Sequence, residues 1–500
     1  MIKIFAVALN QHDHNTYDGV WHNERSRHTR FKHNLPYNAE AYGHKFDTGD
    51  ARLIKEFAKE YFKKPKEGVL SFSMTVGGLK PIKEELFNTI LKGHEEILDF
   101  KPKNLWDYYY KDNIYYIDHH QAHATYALIQ SGFNESDILA IDGIGYKHRC
   151  IFVDKNNQIT DLSNELPIGW LWNHMSKLTG FGSLGASKLM GLVGYGKFNQ
   201  YYYDVFETMI AGEIKEKNYK VHNLINLDYG KEDLAFTLQK FTIDKIKQYV
   251  YPLKTCDNLC IAGGVAYNGY MNEEFTKHYK NVFVPPAVGD EGQAIGVYQH
   301  ADCVMNNNLH KSETFSGKEY EFIGNEKLTS YKPIAQAIAD GKIVGWFQGK
   351  SESGNRALGN RSILADPRRK DIKDVINHTI KMREDFRPFA PVVLEDRYKE
   401  YFDTSSPSPY MSRICKVKTD KVPGVTHIDN TARIQTVNKE QNNKLYELVR
   451  EFDNITGIPM LLNTSFNRHE PIVETPGDAI RTFERTSLDI LVINDWVIRK

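Results

Sequence analysis

No apolar run in this chain of 500 residues approaches the roughly 18 residues that a membrane-spanning helix needs. A helical membrane protein is excluded on that ground. Cysteine is scarce and odd in number: Cys150, Cys256, Cys260, Cys303 and Cys415. Only Cys256 and Cys260 lie close together, and no second pair completes a zinc knuckle, so reduced thiols are expected rather than a disulfide framework. Net charge is absent as well. Lys plus Arg and Asp plus Glu number 64 each, so no global field draws the chain to nucleic acid or membrane, although a local basic patch remains compatible. The N-terminal "MIKIFAVALNQHD" holds an apolar run of six residues, Ile4 to Leu9. That is short for a secretory segment and reads as a first β-strand, which makes a cytoplasmic protein the expectation. No fixed-period repeat is present.

What is there reads as a soluble globular protein of about two to four domains, with 41% hydrophobic and 26% charged residues. One form recurs: an apolar strand, a Gly or acidic turn, then a helical stretch. It occurs in "IKIFAVALNQHD" (2–13), "DILAIDGIG" (137–145), "NLCIAGGVAYNG" (258–269) and "NVFVPPAVGDEGQAIG" (281–296). This alternation argues for an α/β architecture with ligands met at the carboxyl ends of strands. Between 303 and 335 the apolar periodicity fades and Asn, Ser, Lys and Gly accumulate, which marks a boundary between domains over 1–315 and 335–500. A second α/β pattern begins at "KIVGWFQG" (342–349), passes through "IPMLLNTSFN" (458–467) and closes on "DILVINDWVIRK", a hairpin around Asn494 and Asp495.

Three histidines fall within five residues in "YYIDHHQAHATYA" (115–127). The alanines favour helix, on which His119 and His123 stand at i and i+4 and share a face. The pair suits a metal, but until further ligands are found a solvated helix start with polar caps is the plainer reading. Asp142 closes the strand "ILAID", and Asp290 lies in "VGDEGQAIG" after a strand and a Pro-Pro turn. Each alone reads as a turn or cap residue. Together with the two imidazoles they form a mixed N/O donor set suited to iron, manganese or zinc.

Gly263 and Gly264 in "AGGVAYNG" allow close backbone approach to a phosphate or adenosine, and a helix with free N–H groups follows. Lys188 stands among Gly182, Gly185, Gly191, Gly194 and Gly196, where a point charge suits a polyphosphate. His12, at the edge of the first strand, is a candidate general base. The run Arg25, Arg27, Arg30 and Lys32 reads as a solvated face.

Taken in order, "HHQAHA", "IDGIG", "KLMGLVGYGK", "GGVAYNG" and "PPAVGDEGQAIG" resemble the O-carbamoyltransferases of nodulation-factor and antibiotic biosynthesis. So do "SGNRALGNRSILADPR" (353–368), "KMREDFRPFAPVVL" (381–394), "THIDNTARIQTV" (426–437) and "LLNTSFNRHEPIVETPGDAI" (461–480). The resemblance covers nearly the whole chain. It implies an actin/Hsp70-like ATPase fold for the first domain, akin to the metal-bearing subunit that makes threonylcarbamoyl-adenosine in tRNA. For the second it implies an α/β fold like that of the threonylcarbamoyl-adenylate synthase.

The implied chemistry has two stages. The second domain joins the carbamoyl unit of carbamoyl phosphate to AMP from ATP, releasing phosphate and pyrophosphate. The first domain transfers the carbamoyl group to an acceptor hydroxyl and releases AMP. Carried over by motif, His119, His123, Asp142 and Asp290 match the metal ligands, with iron ahead of manganese and zinc. Gly263, Gly264 and Asn268 match the adenylate loop, and Lys188 the phosphate-facing lysine. Lys381 and Arg383 match a Lys-x-Arg phosphate grip, Ser465 and Asn467 a Ser-x-Asn pair, and Arg356, Arg361 and Arg433 further anion ligands. Forked guanidinium donors suit such substrates. His12 and Lys32 match the residues that activate the acceptor and hold developing charge.

The cofactors implied are ATP with Mg2+ and one transition-metal ion, and the partners are carbamoyl phosphate and a hydroxyl-bearing acceptor, with no membrane and with a homodimer left open. This chain departs from the family near the acceptor: "HNTYDG" follows His12-Asp13 in place of small residues, and the stretch before "TRFKH" is shifted. A sugar, an antibiotic-like metabolite, and a hydroxymethylated nucleotide or DNA base are all acceptors consistent with this. A polynucleotide-modifying transferase is the alternative reading.

Overall fold

The structure, a computed structural model, describes residues 2, 4–9, 15–17, 22–24, 69–74, 95–143, 149–182, 184–215 and 230–500. The chain divides into two compact units. Unit 1 is Met1–Leu189, Lys197–Tyr267 and Glu274–Glu313. Unit 2 is Met190–Gly196, Asn268–Glu273 and Thr314–Lys500. Two short segments of the first half thus group with the second. Among the described residues no helix is long and apolar enough to cross a membrane, and the five cysteines form no disulfide.

Among the described residues, unit 1 holds two sheets. The first runs β3-β2-β1-β4-β6-β5, from β1 (Ile4–Leu9), β2 (Asn15–Tyr17), β3 (His22–Glu24), β4 (Val69–Met74), β5 (Tyr109–Lys111) and β6 (Ile114–Tyr116). The second runs β11-β10-β7-β8-β9, from β7 (Asp137–Ile141), β8 (Cys150–Val153), β9 (Ile159–Asp161), β10 (Asn258–Ala262) and β11 (Asn281–Phe283). In both, the first three strands form an antiparallel meander, and two later strands join the first edge in parallel. Each sheet is followed by a helix: α1 (His119–Ser131) after β6, and α2 (Gln293–Asn306) after β11. This repeated order is that of the actin/Hsp70-like ATPase fold. β7, antiparallel to β8 and parallel to β10, is buried at every position.

The N-terminus of α1 is closely specified. Asp118 is its N-cap in a capping box with Gln121, satisfying donors that a helix start otherwise leaves orphaned. Gln121 Nε2 also donates to the carbonyls of Leu105 (3.1 Å) and Asp107 (2.9 Å). Gly132 ends the helix at φ +71, a conformation glycine adopts without penalty. Against α1 packs α2, whose Gly296 has no room for a Cβ beside the Ala122 carbonyl.

Unit 2 is a mixed ten-stranded sheet in the order β12-β21-β20-β13-β14-β19-β15-β18-β17-β16. Its central strands are β13 (Val344–Phe347), β14 (Arg361–Ala365), β15 (Ala390–Leu394), β18 (Thr431–Val437), β19 (Met460–Ser465) and β20 (Ile490–Ile493), and β12 (Glu326–Lys327), β16 (Phe402–Asp403), β17 (Arg413–Val417) and β21 (Trp496–Arg499) complete it. The C-terminal hairpin forms where the sequence places it, with Ile493 opposite Trp496 and Asn494 at φ 51. One apolar core unites this sheet with the helices Lys332–Ala339 and Asn443–Thr456.

Candidate functional site

The ends of three elements in unit 1 converge on one point. α1 presents His119 and His123 one turn apart. Asp142 follows β7 directly, and Asp290 opens the short turn that leads into α2. His119 Nε2 lies 3.4 Å from both Asp142 Oδ2 and Asp290 Oδ1. His123 Nε2 lies 3.1 Å and 3.4 Å from the same two atoms. The two ring planes stand at 86°, so both Nε2 atoms face the carboxylates while the rings avoid one another. All four ligand atoms lie within 4.8 Å of one another, with both imidazoles buried. Ligands about 2.1 Å from a common ion stand roughly 3.0–3.4 Å apart, so the donor set has the span of a coordination sphere.

The electrostatics point the same way. Burial opposes charge on His123, yet the hydrogen bonds and charges of Asp142 and Asp290 push its pKa up to about 9. Burial likewise opposes charge on Asp142, and His119 and His123 overturn this, holding its carboxyl well below the usual range. Two carboxylates that draw a proton onto a buried imidazole form a site demanding positive charge. A divalent cation would meet that demand and leave both imidazoles neutral.

The glycines nearby keep this space open. Gly263, at φ +92, has the Ile141 carbonyl where a side chain would go, and a Cβ on Gly264 would lie 2.8 Å from Asp142 Oδ1. The Gly-Gly turn thus runs directly beside the carboxylate cluster, and Gly263 N–H donates to Val288 O at 2.8 Å. Asn268 accepts from Met271 N–H at 3.1 Å at the start of the helix Gly269–Phe275 and groups with unit 2. Lys188 is half-buried in the short helix Ala186–Met190, more ordered than its glycine-rich surroundings suggest. His12 and Lys32 lie outside the described residues, as does the run 25–32.

In unit 2, residues about 85 positions apart in sequence meet. Lys381 ends a π-helical turn, Asn377–Lys381, a device that often marks functional positions. Its Nζ donates to Ser465 O, to Ser465 Oγ (3.1 Å) and to Asn467 Oδ1 (2.6 Å). Arg383 lies over Phe389 at 4.7 Å and donates through Nε to Asn377 Oδ1 at 2.8 Å. Burial, then the neighbouring Arg387, pushes its pKa down to about 9. Arg433 is held well below the usual arginine range by burial, with Arg356 adding repulsion. Desolvated cations that repel each other are stabilised when an anion enters.

Arg361 differs from expectation. Its guanidinium donates to the carbonyls of Gln348 (2.7 Å), Asn360 (3.0 Å) and Gly349 (3.0 Å) and covers the Phe347 ring at 3.6 Å. Fully buried, it braces the loop before β14 rather than presenting itself to an anion. Its position in an arginine-rich motif gave no hint of this, because the carbonyls it binds belong to neighbouring backbone.

Sequence reading missed a polar face on the sheet. Strand alternation puts Arg433 and Gln435 on one side of β18, and Asn463 and Ser465 on one side of β19. The register, with Val392 opposite Gln435 and Ala390 opposite Asn463, makes it the same side. Asn463 Nδ2 donates to Gln435 Oε1 at 2.7 Å. The signal was present: Asn463 and Gln435 interrupt apolar strands.

Comparisons with known proteins identify the family. Residues 43–298 match the family model described as carbamoyltransferase N-terminus, and 335–500 match the carbamoyltransferase C-terminus. An uncharacterized protein of Synechocystis sp., sll1178, is 32% identical over 87% of this chain and 83% of its own length. Nodulation protein NolNO of Sinorhizobium fredii is 34% identical over 77% of this chain, which spans 64% of that protein. Among solved structures, the activator of the 2-hydroxyisocaproyl-CoA dehydratase from Clostridium difficile aligns over 65% of this chain and 100% of its own, at 12% identity and a TM-score of 0.34, a likeness too distant to build on. The chain belongs to the carbamoyltransferase family and is a transferase.

Proposed function

We propose that this chain is an ATP-dependent O-carbamoyltransferase working in two stages. In unit 2, water hydrolyses carbamoyl phosphate to carbamate and phosphate, and a carbamate oxygen then attacks the α-phosphorus of ATP. Pyrophosphate leaves and carbamoyl-adenylate remains. In unit 1, an acceptor hydroxyl attacks the carbamoyl carbon and AMP departs. The observation that carries the reading is the convergence of Lys381, Ser465 and Asn467 near strongly desolvated arginines in the half that matches the carbamoyltransferase C-terminus.

Lys381 and Arg383 grip the phosphate, while Arg356 and Arg433 compensate further negative charge. Arg361 braces the loop that carries Arg356. In unit 1, Gly263 and Gly264 admit the nucleotide and Lys188 faces its phosphate. His119, His123, Asp142 and Asp290 hold one transition-metal ion, iron ahead of manganese and zinc; the mixed nitrogen and oxygen set and its spacing support this. A bound ion supplies Lewis acidity and a template for phosphate oxygens. His12 accepts the proton of the acceptor hydroxyl, and Lys32 stabilises the developing oxyanion. The acceptor is a hydroxyl on a sugar, an antibiotic-like metabolite or a hydroxymethylated nucleotide.

The test is to mix enzyme, Mg2+, ATP and carbamoyl phosphate without acceptor. Pyrophosphate and phosphate are expected in equal amounts, and Arg383→Ala should abolish both. Formation of ADP in place of pyrophosphate would refute the adenylate route.

A further inference from the structure

The loop Ser351–Asn360 crosses the polar face of the unit 2 sheet and is held there by side chains of the sheet and of the loop itself. Glu352 Oε1 accepts from Leu358 N–H at 2.7 Å and from Arg361 N–H at 3.4 Å. Gln435 Nε2 donates to Leu358 O at 2.8 Å. Asn463 Nδ2 donates to Ala357 O at 3.1 Å and to Gln435 Oε1 at 2.7 Å. Glu352 and Asn463 therefore bind the N–H and the C=O of one peptide unit, Ala357–Leu358, and both are 1% exposed.

In each, the second oxygen is left over. Glu352 Oε2 and Asn463 Oδ1 are shielded from solvent and have no hydrogen-bond partner among the described residues. Burying an acceptor without a donor is costly, and two such acceptors meeting at one loop form a local demand for N–H or O–H groups. Asn463 lies two residues from Ser465 on the same strand face, and Ser465 receives Lys381. Asn463 Oδ1 thus borders the candidate phosphate grip, and Glu352 binds the same peptide unit as Asn463. The anionic end of carbamoyl phosphate calls for donors, which the lysine and arginines supply. Its other end is a planar –NH2 with two N–H donors and calls for acceptors.

We propose that Glu352 Oε2 and Asn463 Oδ1 read the carbamoyl NH2, and so determine specificity for carbamoyl over acyl phosphates of the same shape. This rests on the assignment of carbamoyl phosphate to unit 2. The geometry accounts for discrimination that a phosphate grip alone cannot provide. A methyl group in place of NH2 fits the same volume but leaves both acceptors buried and unpaired, the situation in which polar sites reject analogues most strongly.

The experiment compares carbamoyl phosphate with acetyl phosphate on the full-length enzyme by calorimetry, and then measures KM for carbamoyl phosphate and Ki for acetyl phosphate in pyrophosphate release. The wild type should bind carbamoyl phosphate at least about tenfold more tightly. Glu352→Gln keeps an oxygen for Leu358 N–H but turns an NH2 toward the ligand. It should raise KM at least about tenfold and leave Ki for acetyl phosphate within about twofold. Parallel shifts in KM and Ki, or no shift in either, would overturn the proposal. The wild-type comparison needs no variant: equal binding of the two phosphates refutes this inference alone, whereas binding of neither refutes the parent assignment.

Discussion

Gly296 of α2 lies against Ala122 of α1 so closely that any side chain at 296 would overlap the Ala122 carbonyl oxygen. The helix that carries His119 and His123 and the helix that follows Asp290 therefore touch backbone to backbone. Gln293 reinforces the contact by donating to His119 O at 2.9 Å. Gly296→Ala must force the helices apart, at about 1–3 kcal/mol for overpacking. The expected result is a lower melting temperature together with weakened metal affinity. A variant that melts and binds metal like the wild type would show that the helix spacing does not set the ligand geometry.

Removing a ligand should separate the two stages. His119→Ala is expected to lower the metal content measured by elemental analysis and to stop transfer to an acceptor. Pyrophosphate release from ATP and carbamoyl phosphate, assigned to unit 2, should continue. Full metal occupancy in the variant would count against the cluster as the binding site.

Arg361 and Arg383 should behave oppositely. Arg361→Met removes three donors to buried carbonyls, so stability should fall by about 2–4 kcal/mol, with KM for carbamoyl phosphate in the surviving folded protein within about twofold of wild type. Arg383→Ala should retain the fold and lose turnover. Denaturant unfolding alongside steady-state kinetics distinguishes them, and a large KM effect at 361 would restore it to the anion ligands.

Acid sensitivity should trace in part to His300. Its Nε2 faces the Leu105 carbonyl at 2.8 Å, so the ring carries its hydrogen there. Nδ1 then accepts from Tyr115 Oη at 2.7 Å. Burial pushes its pKa down to about 4, only partly opposed by the Leu105 carbonyl. The unfolded chain takes up this proton near pH 6.5 and the folded chain only near 4, so stability is complete above about 6.5 and declines as pH falls through that window. The loss approaches about 3 kcal/mol. In His300→Gln the decline between pH 6.5 and 4 should flatten. An unchanged slope in thermal melts would place the acid sensitivity elsewhere.

Much of the site was legible because its residues belong to motifs with local logic. An i, i+4 histidine pair after a strand, aspartates at strand ends and a Gly-Gly turn each state their geometry within a few residues. The role of Arg361 was not legible, since a guanidinium is chemically equal to either task and only the positions of three carbonyls decide between them. Glu352, Gln435 and Asn463 escaped for a related reason. A polar residue in an apolar strand announces that it needs a partner without naming which one.

By itself, then, the order of amino acids determined the secondary elements, the donor types and the family, all of which follow from short-range spacing and side-chain chemistry. Tertiary structure alone decided that four donors separated by up to about 170 residues share one point, that Lys381 reaches Ser465, and that Arg361 turns inward. Those outcomes depend on strand register and helix approach, which arise from packing across the whole fold and leave no trace in any single segment.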